Sequence, residues 1–484
     1  MNIKVNNIIL SKEQSIPIIN NPNISMIIAG AGSGKTLTIV GKIKYMIDNN
    51  LIKPYEICAI TYTNKAVDSL KNKIKEATNL DIDVYTFHKL SLNIIKKSNM
   101  NYSIANEDLL EYIIDEFFYS KAFGNKLLLK YIYNIFNIYL FKTNYNYNKI
   151  LKSDEYKSFK KTIISFINYM KANNSINKLI NELNNNKYKK KLLIIYFIYL
   201  IYINELGATN KLDFDKMIEI ATSYINNKKV KLPYKLLIVD EFQDTSLLRF
   251  NLIKAIVLNN NAKLCVVGDD YQSIYKFQGC DLSLFINFKN EFDNVKIYYL
   301  NETYRNSQEL INIAGHFVMK NPNQIKKNLI SNIHIDNPIN IIKYKNIKNV
   351  LIDLIKTLPL DKEILILGRN NFDINKYISG YRLINNNLYI PNIKHNLKYM
   401  TIHSSKGLES DIVIILNLVN DMYGIPSKIK DDELLDILKN KDDYPYSEER
   451  RLFYVALTRT KSYVYLLVDK YNPSIFINEI KKIT

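Results

Sequence analysis

A glycine-rich segment, Ala29-Gly-Ala-Gly-Ser-Gly-Lys-Thr36, constrains the fold of this chain more than any other feature. It follows an apolar run and precedes a helical pattern, an order in which glycines let the backbone wrap a phosphate. Lys35 is predicted to hold the β- and γ-phosphates of a nucleotide, and Thr36 to ligate Mg²⁺. The alternative, a glycine-rich turn without a ligand, fits this order poorly. The loop departs from the usual pattern in one position, because Ala29 replaces the first glycine. The predicted contacts are Ala29, Gly30, Ala31, Gly32, Ser33, Gly34, Lys35 and Thr36.

A second apolar run, residues 236–239, ends in two adjacent carboxylates, Asp240 and Glu241. A strand that delivers such a pair at its carboxyl end fits nucleotide hydrolysis, with Asp240 holding Mg²⁺ and Glu241 activating the attacking water. A strand that ends in a solvated acidic turn is the alternative. The phosphate-binding loop about 200 residues earlier favours the catalytic interpretation.

Most of the chain alternates short β-branched runs with helical patterns, which predicts an α/β fold with parallel sheets. Residues 91–210 differ, because they contain almost no Gly or Pro and repeat apolar residues at helical spacing. We expect a first α/β domain of residues 1–90 and 211–285, a helical insertion of residues 91–210, and a second α/β domain of residues 286–484. Strands are predicted at residues 25–29, 56–61, 236–240, 263–267, 296–300, 363–367, 398–403, 412–417 and 463–468.

The composition limits the environment and the partners of the chain. A net charge of +19 suggests a polyanionic partner, but an A/T-rich codon bias explains many of the lysines equally well. No apolar run approaches the ~18 residues of a membrane span, and the N-terminus lacks a signal-peptide layout. The three cysteines do not have metal-ligand spacing. We therefore expect an intracellular, cytoplasmic protein (nucleoid-associated if bacterial) with no membrane partner.

Seven further segments accompany the loop and the acidic pair: residues 10–14, 61–66, 86–88, 268–277, 304–305, 401–409 and 448–459. In wording and order, the nine segments resemble the Q motif and motifs I, Ia, Ib, II, III, IV, V and VI of the UvrD/Rep helicases of superfamily 1. The matches extend from residue 10 to residue 459, which is nearly the whole chain. One short motif would be weak support, whereas nine in the family's order are specific.

The resemblance implies two RecA-like P-loop domains, called 1A and 2A, with ATP and Mg²⁺ in the cleft between them and the helical insertion 1B in the first. It implies ATP-driven 3′→5′ movement on single-stranded DNA, with single-strand/duplex junctions and a protein partner as further expected contacts. The expected catalytic residues are Lys35, Asp240, Glu241, Gln272, Arg305 and Arg459. Three residues are expected to join the loop in binding nucleotide, namely Gln14, Tyr304 and Glu409.

Single-stranded DNA binding requires aromatic side chains that stack on bases beside a positive groove. Motif position selects Tyr62, Tyr275 and Phe277 for stacking, and Asn64, His88 and His403 for backbone contacts. Elsewhere a Tyr or a His is more often structural. The family usually has Trp-Arg-Gly at the end of motif III, where this chain has Phe-Gln-Gly, so Phe277 offers a smaller stacking face. For Arg450 and Arg451, a solvated helix face is the alternative to a catalytic role.

The family usually carries a large inserted domain, 2B, before motif V. Here only the 31 residues 370–400 separate Arg369 from Thr401, fewer than the ~40 residues below which chains rarely fold alone. We therefore expect 2B to be absent or minimal, unless residues 310–362 build it.

Two other classes of function stay open. The chain can be a DNA-stimulated ATPase that serves a partner, such as a nuclease, as a binding or loading subunit without autonomous unwinding. It can also be a catalytically dead DNA-binding subunit, although the six expected catalytic residues argue against that. RNA is a further candidate for the nucleic acid along which the chain moves.

Overall fold

The structure is a computed structural model that describes residues 3–98, 102–121, 152–185, 187–429, 433–439 and 444–483. Its strands form two large, mainly parallel sheets and two small ribbons. In chain order the strands are β1 (Lys4–Val5), β2 (Ile8–Ile9), β3 (Ile24–Ala29), β4 (Ile57–Thr61), β5 (Asp83–Thr86), β6 (Ser103–Ile104), β7 (Lys211–Leu212), β8 (Leu236–Val239), β9 (Lys263–Gly268), β10 (Lys296–Leu300), β11 (Ile339–Tyr344), β12 (Glu363–Gly368), β13 (Arg382–Ile384), β14 (Asn387–Tyr389), β15 (Asn396–Thr401), β16 (Ser410–Leu418) and β17 (Thr460–Asp469).

The helices cover both large sheets and form a separate bundle between β6 and β7. In chain order the α-helices are α1 (Lys12–Ile19), α2 (Lys35–Asp48), α3 (Asn64–Thr78), α4 (Phe87–Lys96), α5 (Leu109–Glu116), α6 (Asp154–Ala172), α7 (Ile176–Asn185), α8 (Lys189–Ala208), α9 (Phe214–Asn226), α10 (Leu247–Asn260), α11 (Leu282–Ile286), α12 (Gln308–Val318), α13 (Val350–Thr357), α14 (Glu433–Asp436), α15 (Ser447–Leu457) and α16 (Ile475–Ile480).

The first sheet has the strand order β10-β3-β9-β8-β4-β5, and all of its pairings are parallel. Alternate side chains of β3 enter two different cores: Met26 and Ile28 face one, whereas Ile27 and Ala29 face the other. This two-sided burial explains why the strand is apolar at every position except Ser25. The carboxyl ends of β3 and β8 lead into the glycine-rich loop and the acidic pair, which brings the two together at one edge.

The expected boundary at residue 286 is wrong, because β10 pairs with β3 and therefore completes the first sheet. Strand order in a parallel sheet need not follow chain order, and a pattern of apolar residues carries no information about which sheet a strand joins. The change from the first sheet to the second falls after Leu300.

The second sheet has the strand order β11-β17-β16-β12-β15-β14-β13. Its first five strands are parallel, and the β13–β14 hairpin extends it in an antiparallel sense. The core on one face of this sheet also contains Ala31, Tyr271 and Ile274 from the first half of the chain. The two halves therefore share a contiguous apolar interface next to the glycine-rich loop.

The described helices of the insertion, α5 to α8, surround a core of their own that Leu434, Leu435 and Leu438 complete. Among the described residues one helix, α8, is long and apolar enough to cross a membrane, by length and composition only. The helix reaches this length because it continues past its apolar centre at both ends, from Lys189 to Ala208. Its buried residues, such as Ile195 and Ile198, pack in the core of the bundle, which is the ordinary use of an apolar helix in a bundle.

Candidate nucleotide site and nucleic-acid interface

The glycine-rich loop turns tightly between β3 and α2, and two of its glycines require the left-handed backbone region. Gly32 has φ of 75° and Gly34 has φ of 78°, values that favour glycine. A Cβ atom would lie 2.6 Å from Arg305 Cβ at Gly32, and 2.5 Å from Gln14 Nε2 at Gly34. The loop is thus a close-fitting cradle with Gln14 on one side and Arg305 on the other.

Lys35 begins α2 and reaches the acidic pair. Its Nζ atom is buried and forms an ion pair with Glu241 Oε1 at 3.1 Å. An ammonium group in a cradle of backbone N–H groups is suited to a phosphate. The residues present therefore fit a nucleoside triphosphate at this loop.

The acidic pair occupies the carboxyl end of β8. Asp240 Oδ1 accepts the backbone N–H of Glu241 at 2.9 Å, and Glu241 Oε2 accepts Gln243 Nε2 at 2.5 Å. Burial alone would raise the pKa of Glu241, but Lys35 and Lys406 outweigh it and hold the pKa below its usual range. Burial, followed by the charge of Glu241, raises the pKa of Asp240 to about 6.

The donor set fits Mg²⁺ as a nucleotide-bound ion. Within the described residues no group of three or more His, Cys, Asp or Glu side chains could hold a metal by itself. Mg²⁺ needs no such cage, because it keeps several waters and takes one or two protein oxygens together with phosphates. Asp240 and the partly exposed Thr36 are oxygen donors of that kind.

Two arginines from the second half of the chain face this region. Arg459 is buried, and its Nη2 donates to Gln272 Oε1 at 3.2 Å. Arg305 donates from Nε to Glu409 Oε2 at 2.8 Å and from Nη1 to the Thr458 carbonyl at 3.4 Å. Burial, followed by the charge of Arg305, lowers the pKa of Arg459 to about 9. Arg459 therefore stays charged at neutral pH.

The three residues expected to join the loop in binding nucleotide lie in different surroundings. Gln14 caps α1 together with Ser11 and donates from Nε2 to the Ser33 carbonyl at 3.2 Å. The half-exposed Tyr304 ring lies beside Gly34. Glu409, which was expected to bind nucleotide, forms ion pairs with Arg305 and Lys461. The structure thus groups Gln14 and Tyr304 at the loop and engages Glu409 with an arginine.

Sequence reasoning missed Lys406, which crosses between the two halves of the chain. Its Nζ forms an ion pair with Asp244 and donates to the Gln272 carbonyl at 2.7 Å. It also lies 3.6 Å from Glu241 Oε2. Its position inside a matched motif was a signal, but the sequence does not reveal that this lysine is buried. Lys406 therefore links the acidic segment, Gln272 and the second half.

The solvated helix face considered for Arg450 and Arg451 is wrong, because both side chains are buried. Arg450 donates from Nη1 and Nη2 to Glu479 at 2.8 Å and 2.7 Å. Arg451 donates from Nε to the Ser273 carbonyl at 2.6 Å. Helix α15 is enclosed by the second sheet and the 268–277 segment, so both arginines have internal partners.

The six residues expected to contact DNA fall into two groups. Tyr62, Asn64 and His88 line a cavity of about 360 Å³. Phe214, which the sequence analysis missed, lines it too, with its ring centroid 4.6 Å from that of His88. The Tyr62 hydroxyl donates to Thr245 Oγ1 at 2.6 Å, which fixes that ring in the wall. Burial, followed by the charge of Arg249, lowers the pKa of His88 to about 4.

The second group, Tyr275, Phe277 and His403, forms an aromatic cluster. The Phe277 and His403 ring centroids are 5.6 Å apart, and the Tyr275 hydroxyl donates to the His403 carbonyl at 3.0 Å. Phe277 and His403 line a cleft of about 1610 Å³ between the insertion and the second half. Phe277 is 53% exposed, so its ring is available for stacking. Burial, then nearby Arg369 and Lys406, lowers the pKa of His403 to about 4.

Comparison with known proteins gives consistent matches. Residues 10–293 match the UvrD/REP helicase N-terminal domain, and residues 368–471 match the UvrD-like helicase C-terminal domain. The chain is 27% identical to DNA helicase IV of Escherichia coli over 98% of its own length and 70% of that protein. It is 30% identical to the ATP-dependent DNA helicase Rep of Buchnera aphidicola subsp. Schizaphis graminum over 94% of its own length and 69% of that protein. The N-terminal match alone covers more than half of the chain, which therefore belongs to the UvrD/Rep helicase family.

Proposed function

We propose that this chain is an ATP-dependent DNA helicase that hydrolyses ATP to ADP and phosphate and moves 3′→5′ on single-stranded DNA. One observation carries the proposal. Lys35 pairs with Glu241 in the first half, and Gln272 of the first half accepts from the buried Arg459 of the second half. Lys406, also from the second half, lies 3.6 Å from Glu241 Oε2 and donates to the Gln272 carbonyl, so it joins the two pairs. A site assembled from two halves can open and close, and its closure can be tied to the presence of ATP.

The proposed architecture is a pair of RecA-like domains. Domain 1A comprises residues 1–90 and 211–300, domain 1B comprises residues 91–210, and domain 2A comprises residues 301–484. The parallel sheets and the placement of the glycine-rich loop at the carboxyl end of β3 support this assignment.

In the proposed mechanism, Lys35 and the loop hold the β- and γ-phosphates. Thr36 and Asp240 would hold Mg²⁺, which would neutralise charge on the phosphate oxygens. The γ-phosphate competes with Glu241 for Lys35, because one ammonium group serves both anions. Glu241, ionised at neutral pH, is then free to orient the attacking water and take its proton.

The arginines stabilise the charge that develops on the transferred phosphoryl group. Arg459 reaches this position beside Gln272, and Arg305 packs against Gly32 of the loop. Gln272 belongs to the same short segment as Tyr275 and Phe277, which are expected to contact single-stranded DNA. A shift of Gln272 on phosphate release is therefore passed to the aromatic cluster within five residues of backbone.

The kind of nucleic acid along which the chain moves is best tested by measuring ATP hydrolysis with three nucleic acids of equal length. We expect single-stranded DNA to stimulate turnover strongly, and duplex DNA and RNA to stimulate it weakly. Equal stimulation by RNA would contradict a DNA track. Absence of any turnover in a folded preparation that binds single-stranded DNA would favour the catalytically dead alternative.

Phe277→Ala is expected to weaken single-stranded DNA binding by about 1–3 kcal/mol, because it removes one base-stacking face. Fluorescence anisotropy with a labelled oligothymidine measures this change. Tyr55→Ala is the matched control, because Tyr55 is 58% exposed and lies before β4, at the opposite edge of the sheet. Equal affinity in wild type and Phe277→Ala would make Phe277 a packing residue only.

We also propose that domain 2B is absent or minimal. Residues between β12 and β15 form a short 3₁₀ turn, Asp373–Lys376, and the β13–β14 hairpin, which continues the second sheet. Residues 310–362 contribute α13 and β11, and β11 pairs with β17 in that sheet. These elements support a compact second domain rather than a separate inserted one.

A chain with a minimal 2B is expected to translocate well and to separate strands poorly when it acts alone. Single-turnover unwinding of duplexes with 3′ tails of increasing length tests this, since longer tails hold more chains. We expect the unwound fraction to rise with tail length, and duplexes with 5′ tails to stay intact. Complete unwinding from a tail that holds one chain would contradict the prediction, whereas no unwinding on any tail would favour a loading subunit.

A further inference from the structure

A lysine outside every motif lies between the two carboxylates that follow β9. Lys327, between α12 and β11, is buried, as are Asp269 and Asp270. Its Nζ forms an ion pair with Asp269 and lies 2.6 Å from Asp270 Oδ1. It also lies 3.8 Å from the centre of the Tyr271 ring. One cation thus contacts two buried carboxylates from the other half of the chain.

Asp269 connects this cation to Gln272, one of the expected catalytic residues. Gln272 Nε2 donates to Asp269 Oδ2 at 2.5 Å, and Gln272 Oε1 accepts Arg459 Nη2 at 3.2 Å. The nitrogen of a side-chain amide only donates and its oxygen only accepts. These two contacts together therefore determine which end of the Gln272 amide faces Arg459.

The segment that carries Lys327 is anchored on both sides. Gln324 Nε2 donates to Asp270 Oδ2 at 2.7 Å, and the Ile325 N–H donates to the same oxygen at 2.8 Å. Further along, Leu329 covers Gly30 of the phosphate-binding loop so closely that a Cβ atom there would lie 2.5 Å from Leu329 Cδ2. Lys327 is thus held in place independently of Gln272.

We propose that Lys327 is a positioning residue for ATP turnover: through Asp269 it orients the Gln272 amide so that Gln272 and Arg459 act together on the γ-phosphoryl group. The proposal rests on the roles given above to Gln272 and Arg459. Without Lys327, the Asp269 carboxylate loses the ion pair that holds it in place. Its Oδ2 atom is then no longer a fixed acceptor for Gln272 Nε2, so the amide of Gln272 loses its single orientation.

Lys327→Met tests the proposal, because the expected defect concerns only nucleotides that carry a γ-phosphate. We expect DNA-stimulated kcat to fall about 10- to 100-fold, the usual effect of removing a group that orients an active-site residue. The affinity for a non-hydrolysable ATP analogue should fall, whereas the affinity for ADP, which lacks the γ-phosphate, should not change. Equal losses for both nucleotides would mean general damage to the fold and would overturn the proposal.

Two matched carboxylate variants cover the risk that Lys327→Met folds poorly. Asp269→Asn and Asp270→Asn remove the same charge beside the same lysine, but only Asp269 contacts Gln272. Asp269→Asn should reduce the preference for the ATP analogue over ADP, and Asp270→Asn should retain it. Equal behaviour of the two variants would overturn the proposal.

A double-mutant cycle separates this inference from the proposed function. If Lys327 acts through Gln272, then Lys327→Met should add no further loss of kcat to Gln272→Ala. Additive losses would overturn the positioning role of Lys327 and leave the role of Gln272 intact. An unchanged kcat in Gln272→Ala alone would instead overturn the proposed function of Gln272.

Discussion

Arg459→Ala is expected to lower the kcat of DNA-stimulated ATP hydrolysis by about 10³-fold or more, the range found when an arginine that stabilises a transferring phosphoryl group is removed. Arg459 is buried, stays charged, and reaches Gln272 from the second half of the chain. The charge it stabilises appears only in the transition state. The affinity for ADP should therefore change much less than kcat, as steady-state kinetics and ADP titration would measure.

Arg450→Ala is the matched control for this prediction. Arg450 is also buried and belongs to helix α15, but it binds Glu479 and stacks on Phe317 and Phe476. Its loss should lower the melting temperature without a specific loss of kcat in the folded fraction. Comparable kcat losses in the two variants would contradict the assignment of Arg459.

Glu241→Gln is expected to bind ATP and to hydrolyse it about 10²- to 10⁴-fold more slowly, the usual contribution of a positioned base. The neutral amide no longer pairs with Lys35, which is then fully available to the phosphates. Lys35→Ala should lose both nucleotide affinity and turnover, because it removes the cation of the cradle. Nucleotide binding and steady-state turnover of both variants distinguish these outcomes. Near-normal DNA-stimulated turnover in Glu241→Gln would exclude Glu241 as the base.

Much of the secondary structure follows from the sequence pattern. Strands are present in all nine predicted segments, and most of them are apolar and buried on both faces of a parallel sheet, although the edge strand β10 is largely exposed. β5 and β11 were missed because they are edge-proximal and carry polar residues, such as Asp83 and Asn340, that break an apolar run. The assignment of β10 to the second domain was wrong because pairing between distant segments is a tertiary property.

The motif residues of the candidate site were accessible from the sequence because the chemistry restricts the residue types and the order of the segments. The residues that connect them were not. Lys406 pairs with Asp244, which is 162 residues away, and Lys327 pairs with Asp269, which is 58 residues away. A lysine is ordinarily solvated, and it becomes a buried ion-pair partner only when folding brings carboxylates to it. Arg450 and Arg451 were misjudged for the same reason.

We propose that ATP hydrolysis moves this chain along single-stranded DNA. The most direct test follows phosphate release during one passage along oligothymidines of increasing length, with a trap that prevents rebinding and a fluorophore at either end. We expect the duration of the burst to grow linearly with length, and the signal of arrival to appear at the 5′ end. A burst whose duration does not depend on length would contradict translocation, and arrival at the 3′ end would contradict the proposed polarity.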